Sequence, residues 1–260
     1  MEVHHHPKVE KKNFKEYFLE FLMIFLAVTM GFFAETIREN ISENKQANEL
    51  AKSLYQEVYR DSINAKKIIA MRLKKEESLA YFIHSVRDSN MASPPKKFYS
   101  VFILSFYINT AISFEPSDGV LNQLRNSGTL RYFHNMQIQD KIGELGVDIV
   151  KIRDRQQQEY TFGSTNARPF VLKHFDFRLL DSVIYEGDLS MADVLEKDSA
   201  QLLASVKILN MQDFNKIEAE NVAYYFMIML RSSRQSQFVQ YVKTNHELLE
   251  LLRNEYLVNK

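Results

Sequence analysis

The sequence predicts an all-α protein, and three observations predict it. Only seven glycines and five prolines occur in 260 residues, while hydrophobic residues make up 45% and charged residues 25%. Such a composition can bury a core and holds little material for tight turns. The segment from Glu35 to Asp88 has neither Gly nor Pro, and its apolar residues recur mostly at steps of three, four or five, as a helix requires. The segment from Met211 to Leu257 is again free of Gly and Pro. The expected architecture is an N-terminal transmembrane helix continuing into an elongated helical bundle with long first and last helices.

The first element is the run Phe21 to Ala34, FLMIFLAVTMGFFA, fourteen residues without a charge. With Tyr17, Phe18 and Leu19 before Glu20, and Ile37 after Glu35, it approaches the ~20 residues that cross a bilayer's hydrocarbon core. The span is placed at 17–37, and its marker residues are Tyr17, Glu20, Phe21, Leu22, Phe25, Leu26, Gly31, Phe32, Phe33 and Glu35. A buried core helix, a re-entrant segment and a signal-peptide core share this length. Cleavage is disfavoured because Phe32-Phe33-Ala34 puts a ring where a small residue is required. A soluble core helix would carry a polar stripe, yet the only polar side chain from Phe21 to Ala34 is Thr29, whose hydroxyl can bond back to its own helix. Glu20, one turn inside the apolar boundary, can snorkel, stay protonated or pair with Lys15.

Orientation follows from flanking cations. Lys8, Lys11, Lys12 and Lys15 precede the span, against Arg38, Lys45 and Lys52 after it. That bias puts the tail 1–16 in the cytoplasm and the domain 38–260 outside, periplasmic in a bacterium. The chain has no cysteine, which excludes a disulfide framework and a thiolate metal site.

The block His4 to Asn40, HHHPKVEKKNFKEYFLEFLMIFLAVTMGFFAETIREN, resembles the opening of a set of uncharacterised bacterial single-pass membrane proteins. Leu121 to Phe133, LNQLRNSGTLRYF, is similar to a Leu-x-x-Ser-Gly-x-Leu-Arg element of related small membrane proteins. Together the two matches cover about a fifth of the chain. The resemblance implies an inner-membrane anchor and a helical exported domain, and it brings no catalytic residues with it.

Beyond the anchor, residues 35–88 read as one rod continuous with it, with an apolar face of Ile37, Ile41, Leu50, Leu54, Val58, Ile63, Ile68, Ile69, Leu73, Leu79, Phe82, Ile83 and Val86. Its pairs Glu76 with Arg72, and Glu57 with Asp61 and Arg60, read as charges on a solvated face. SNMASPP ends the rod, and Ser93 before Pro94 can cap the next helix. Phe98 to Phe114 has no charge over seventeen residues, but three Ser, one Thr, one Asn and two Tyr make it a poor second span. An interior bundle helix is expected there.

Ser117 is the expected cap of a short helix through Arg125, and Gly128 fits its left-handed end. A further helix is expected from Asn135 to Phe162, with RDRQQQE as an exposed face, then a break at Gly163 to Pro169 and a helix over 170–183. YEGDLS is a turn, with Ser190 capping 191–203. Met211 to Leu257 closes the chain and is expected to pack antiparallel to the first rod.

Chemistry is sparse in this pattern. His4, His5 and His6 form a histidine tail, and no carboxylate at ligand spacing joins them. His174 and Asp176 stand two residues apart, so on a helix they point in different directions and build no dyad. His84, His134 and His246 are isolated. Tyr107, Tyr224, Tyr225 and Phe226 read as core, or as the aromatic wall of a ligand-binding bundle. The formal charge of zero, with acids interleaved among the bases, argues against nucleic acid as a partner. No cofactor or metal is expected. The leading expectation is a non-enzymatic interaction or scaffold protein of the bacterial envelope, its partners the lipid bilayer and either an envelope protein or a second copy of the chain. The alternative is a sensor-type ligand-binding module that works through a partner.

Overall fold

The computed structural model describes residues 13–95, 97–106, 112–177 and 208–257. These residues are all-α, with no strand among them: α1 Phe14–Asp88, α2 Phe98–Phe106, α3 Gly119–Asn126, α4 Met136–Phe162, α5 Arg168–His174, α6 Lys216–Ser233 and α7 Val239–Leu252. The histidine tail, Tyr107, the YEGDLS turn and the helix expected at 191–203 lie outside the described residues. The chain divides into two compact units, 1–50 and 51–260.

In the first unit α1 starts on a reciprocal cap. Asn13 N–H donates to Glu16 Oε2 at 3.1 Å, and Asn13 O accepts from Glu16 N–H at 2.8 Å. The side chains that follow are exposed or partly covered, and none before Ala47 is buried.

In the second unit α1 changes character. Glu57, Glu76, Ile83 and Ser85 are buried beside a seam that runs Ala51, Leu54, Val58, Asp61, Ala65, Ile68, Arg72, Lys75, Leu79, Phe82 and Val86. Along this seam the steps alternate three and four, the spacing of a helix that keeps one line of side chains against its partners. Three of these positions are charged and two are alanine, whereas Ile63 and Leu73, assigned to the core by their hydrophobicity, stand 56% and 39% exposed. The exposed-face reading of Arg72, Glu76, Glu57 and Asp61 is therefore corrected: all four are buried.

The run α6–α7 packs antiparallel to α1, as expected. Tyr55 meets Arg253, Val58 O accepts from Asn245 Nδ2, Glu76 meets Arg234 and Arg87 meets Glu220, so one number rises as the other falls. α4 is antiparallel to the same run through Asn135 with Glu255, Asp148 with Thr244, and Arg155 with Met229 O. These three rods form the bundle, and α2 closes one part of it. Phe98, Phe102 and Phe106 bury against Phe82, whose ring lies 5.0 Å from that of Phe106. α2 is thus an interior element, but the helix expected through Phe114 is corrected at its end: it stops at Phe106, 107–111 lie outside the described residues, and 113–118 are not helical.

Two local expectations are corrected. Gly163 to Pro169 is no break: Gly163 is right-handed helical, at φ −57° and ψ −43°, and a π turn over Gly163–Ala167 carries α4 into α5. The cap of α3 comes from α1 rather than from Ser117. Val120 N–H and Leu121 N–H donate to the Glu57 carboxylate at 3.1 and 3.4 Å, and Ser117 N–H donates to Asp61 Oδ2 at 2.8 Å. Two buried carboxylates of α1 thereby satisfy amides at and before the start of α3. Gly128 does take the left-handed conformation, φ 73°.

Glu57→Ala removes this tertiary cap, with an expected cost of about 1–2 kcal/mol in chemical denaturation. Faster hydrogen exchange at Val120 and Leu121 should accompany the loss.

Candidate functional site

The buried polar cluster of unit 51–260 is built where three rods bring charge to one level. Arg72, 1% exposed, reaches from the α1 seam. Its Nη1 and Nη2 donate to Glu159 Oε1 and Oε2 at 3.1 and 2.8 Å, a two-pronged pair across to α4. Nε donates to Ile112 O at 3.1 Å and Nη1 to Ser233 Oγ at 3.3 Å. The guanidinium also lies 4.5 Å from the centroid of the Phe238 ring. One turn on, Glu76 accepts from Arg234 Nε and Nη2 at 2.7 and 2.9 Å, and Arg231 Nε is 3.6 Å away.

A register skip in the last rod makes this convergence possible. Buried positions from Ala219 to Ser233 advance by three or four along Ala223, Phe226 and Leu230, then the step from Ser233 to Phe238 is five. The π turn Arg234–Phe238 occupies that step. A turn with one extra residue lets Ser233, Arg234 and Phe238 all face α1, which a regular helix would not do.

Lys75 completes the cluster, with Nζ 4.7 Å from the Phe226 ring centroid. Burial, with Arg72 adding to it and Glu159 opposing, lowers its pKa to about 7. Elsewhere in the seam, burial pushes Asp61 up to about 6, against the hold of Ser117 N–H. Tyr241 also shifts upward on burial beside Asp61.

A cavity of about 230 Å³ opens onto the cluster, walled by Arg72, Ile112, Gln156, Glu159, Gly163 and Phe226. Tyr160, Ser164 and Arg168 also line it. Gln156 is held by the backbone of Phe114 in both directions, accepting from its N–H at 2.6 Å and donating to its O at 2.8 Å.

The residues marked for the membrane lie elsewhere and are not brought to one face. Tyr17, Phe21, Phe25, Leu26, Gly31, Phe32, Phe33 and Glu35 are exposed around all sides of α1, and Glu20 and Leu22 are partly covered. Glu35 pairs with Arg38 one turn away, and Thr29 Oγ1 donates to Phe25 O at 2.7 Å, the back-bond its isolation suggested. α1 contains an 18-residue window of mean hydropathy 2.0, none of it buried, and is long and apolar enough to cross a membrane.

The remaining residues singled out in the sequence separate. His174 is buried, with Nδ1 3.0 Å from Leu209 O and its ring against Phe170 and Phe214, which is packing. His84, His134 and His246 are exposed. Tyr224 and Tyr225 are 47% and 54% exposed, so the core reading holds for Phe226 and fails for its two neighbours. Among the described residues no group of three His, Cys, Asp or Glu side chains could hold a metal ion. Arg72, Lys75 and Glu159 were missed because hydrophobic periodicity skips charges. For Arg72 and Lys75 the signal was the three-four spacing of α1 once alanines and charges are admitted to the seam.

No protein-family model, curated protein or solved structure matches the chain.

Lys75 gives a pH signature. Between pH 7 and 10.5 the unfolded chain holds a proton on this lysine that the folded chain releases, so its contribution makes stability rise with pH. Lys75→Met should therefore gain most over the native protein near pH 7, by up to a few kcal/mol, and lose that gain toward pH 10 in thermal unfolding.

Proposed function

We propose that this chain is a non-enzymatic, membrane-anchored helical protein of the bacterial cell envelope. Segment 17–37 crosses the inner membrane, 1–16 stays in the cytoplasm, and 38–260 is a periplasmic helical domain that meets an envelope protein or another copy of itself. One observation carries the anchor: fourteen large apolar side chains from Phe14 to Ile37 are exposed on every side of α1. At about 1.5–3 kcal/mol for each one buried, water would leave on the order of 20–40 kcal/mol uncollected. That exceeds the whole net stability of a typical domain, ~5–15 kcal/mol, and a bilayer removes the deficit. The local back-bonds of Thr29 and Thr36 to Phe25 O and Phe32 O suit a helix without water at its sides.

The lysine bias supports the orientation, and the resemblance of the His4 to Asn40 block supports the inner membrane. The interaction role rests on the long rods, which present extended polar faces to a partner. A sensor-type module working through a partner is the second reading, favoured by the cavity beside Arg72.

Carbonate extraction, with proteolysis of intact spheroplasts carrying an epitope at Lys260, tests the proposal. The expected result is protein retained in the membrane pellet and epitope lost to protease. Release into the supernatant overturns the anchor, and a protected epitope overturns the orientation.

A further inference from the structure

We propose that the cavity beside Arg72 and Glu159 binds a small organic acid, one carboxylate on an apolar body, with Arg168 and Tyr160 receiving the carboxylate. The inference deepens the sensor-type reading and does not depend on the chain crossing a membrane.

Charge is the first reason. Glu159 is paired with Arg72, lies 4.0 Å from Arg155 and interacts electrostatically with Lys75. Glu76 is faced by Arg234 and Arg231. Glu159 is the one carboxylate among the residues lining the cavity, and with Arg168 on the same wall three guanidiniums, Arg72, Arg155 and Arg168, stand against it. Arg155 Nε is buried with no hydrogen-bond partner. Excess positive charge in a partly buried site is costly, and an anion from outside offsets it.

The walls select which anion. Ile112 and Phe226 offer carbon to the cavity, which a fully hydrated phosphate would not favour. The amide of Gln156 is already engaged by Phe114, and the Arg72 fork by Glu159. Arg168 and Tyr160 are exposed, and neither side chain has a hydrogen-bond partner among the described residues. They are therefore the groups left to hold a carboxylate, through the guanidinium fork and the phenol. With about 230 Å³ of space the cavity has room for a small organic acid such as butyrate or benzoate.

The π turn Gly163–Ala167 forms one edge of the cavity and the π turn Arg234–Phe238 carries the Phe238 ring against Arg72. Regular helices at both points would re-aim these side chains, and such turns recur at functional sites.

The test is thermal unfolding of the detergent-solubilised full chain with benzoate or butyrate, with sodium chloride matching ionic strength and phosphate as the comparison anion. A saturating monocarboxylate should raise Tm by about 5 °C over chloride. Arg168→Gln and Tyr160→Phe, each read against its own ligand-free Tm, should weaken the midpoint about tenfold. No rise with either acid, an equal rise in Arg168→Gln, or a rise with phosphate alone would each overturn the assignment. Carbonate extraction is untouched by any of these results, so the two proposals fail separately.

Discussion

The buried pair of Arg72 and Glu159 is the constraint on which the bundle depends. A guanidinium that is 1% exposed cannot be left without acceptors, because an uncompensated buried charge costs several kcal/mol. Its donors reach Glu159 on α4, Ser233 on α6 and the carbonyl of Ile112. Satisfying Arg72 therefore fixes α1, α4 and α6 at one level and fixes where the chain re-enters before Phe114. The π turn after Ser233 follows from this, since only the extra residue lets Ser233, Arg234 and Phe238 converge. A hydrophobic residue at position 72 would have allowed the rods to slide by a turn, which makes register specification the natural role of the charge.

The same helix works under two rules along its length. From Phe14 to Ile37 it is apolar all round and uncovered, so its hydrophobicity carries no information about a partner face. From Ala51 to Val86 its average hydrophobicity is modest, and the information lies in position instead. Small alanines at 51 and 65 allow close approach, while Asp61, Arg72 and Lys75 place polar groups where a specific acceptor or donor must meet them. Asp61, with Glu57 beside it, meets the backbone of Ser117 to Leu121; Arg72 meets Glu159.

Much of this fold was legible in the sequence for definite reasons. The Gly- and Pro-free stretches gave long helices, and Gly128 marks the end of α3. The antiparallel return of the last rod followed from its length. The site was less legible. Periodicity counted on hydrophobic residues promoted Ile63 and Leu73 into the core and sent Arg72 and Glu76 to solvent, the reverse of their burial. The stretch GSTNARP carries the composition of a loop, yet the packing of Ala167 and Phe170 against the core holds it helical, a tertiary override of local propensity. Glu57 as the cap of α3 lies 63 residues from Val120, beyond any local rule.

The exposed apolar stretch and the interior charge are separable properties of one helix, and the second is the more specific statement about this chain. A double-mutant cycle on Arg72→Met and Glu159→Met, read by chemical denaturation, addresses it directly. Each single change should cost about 3–5 kcal/mol by stranding the other charge, and the double change should cost less than their sum by about 1–3 kcal/mol. Single costs below about 1 kcal/mol that simply add would contradict the claim that this pair sets the register of the bundle.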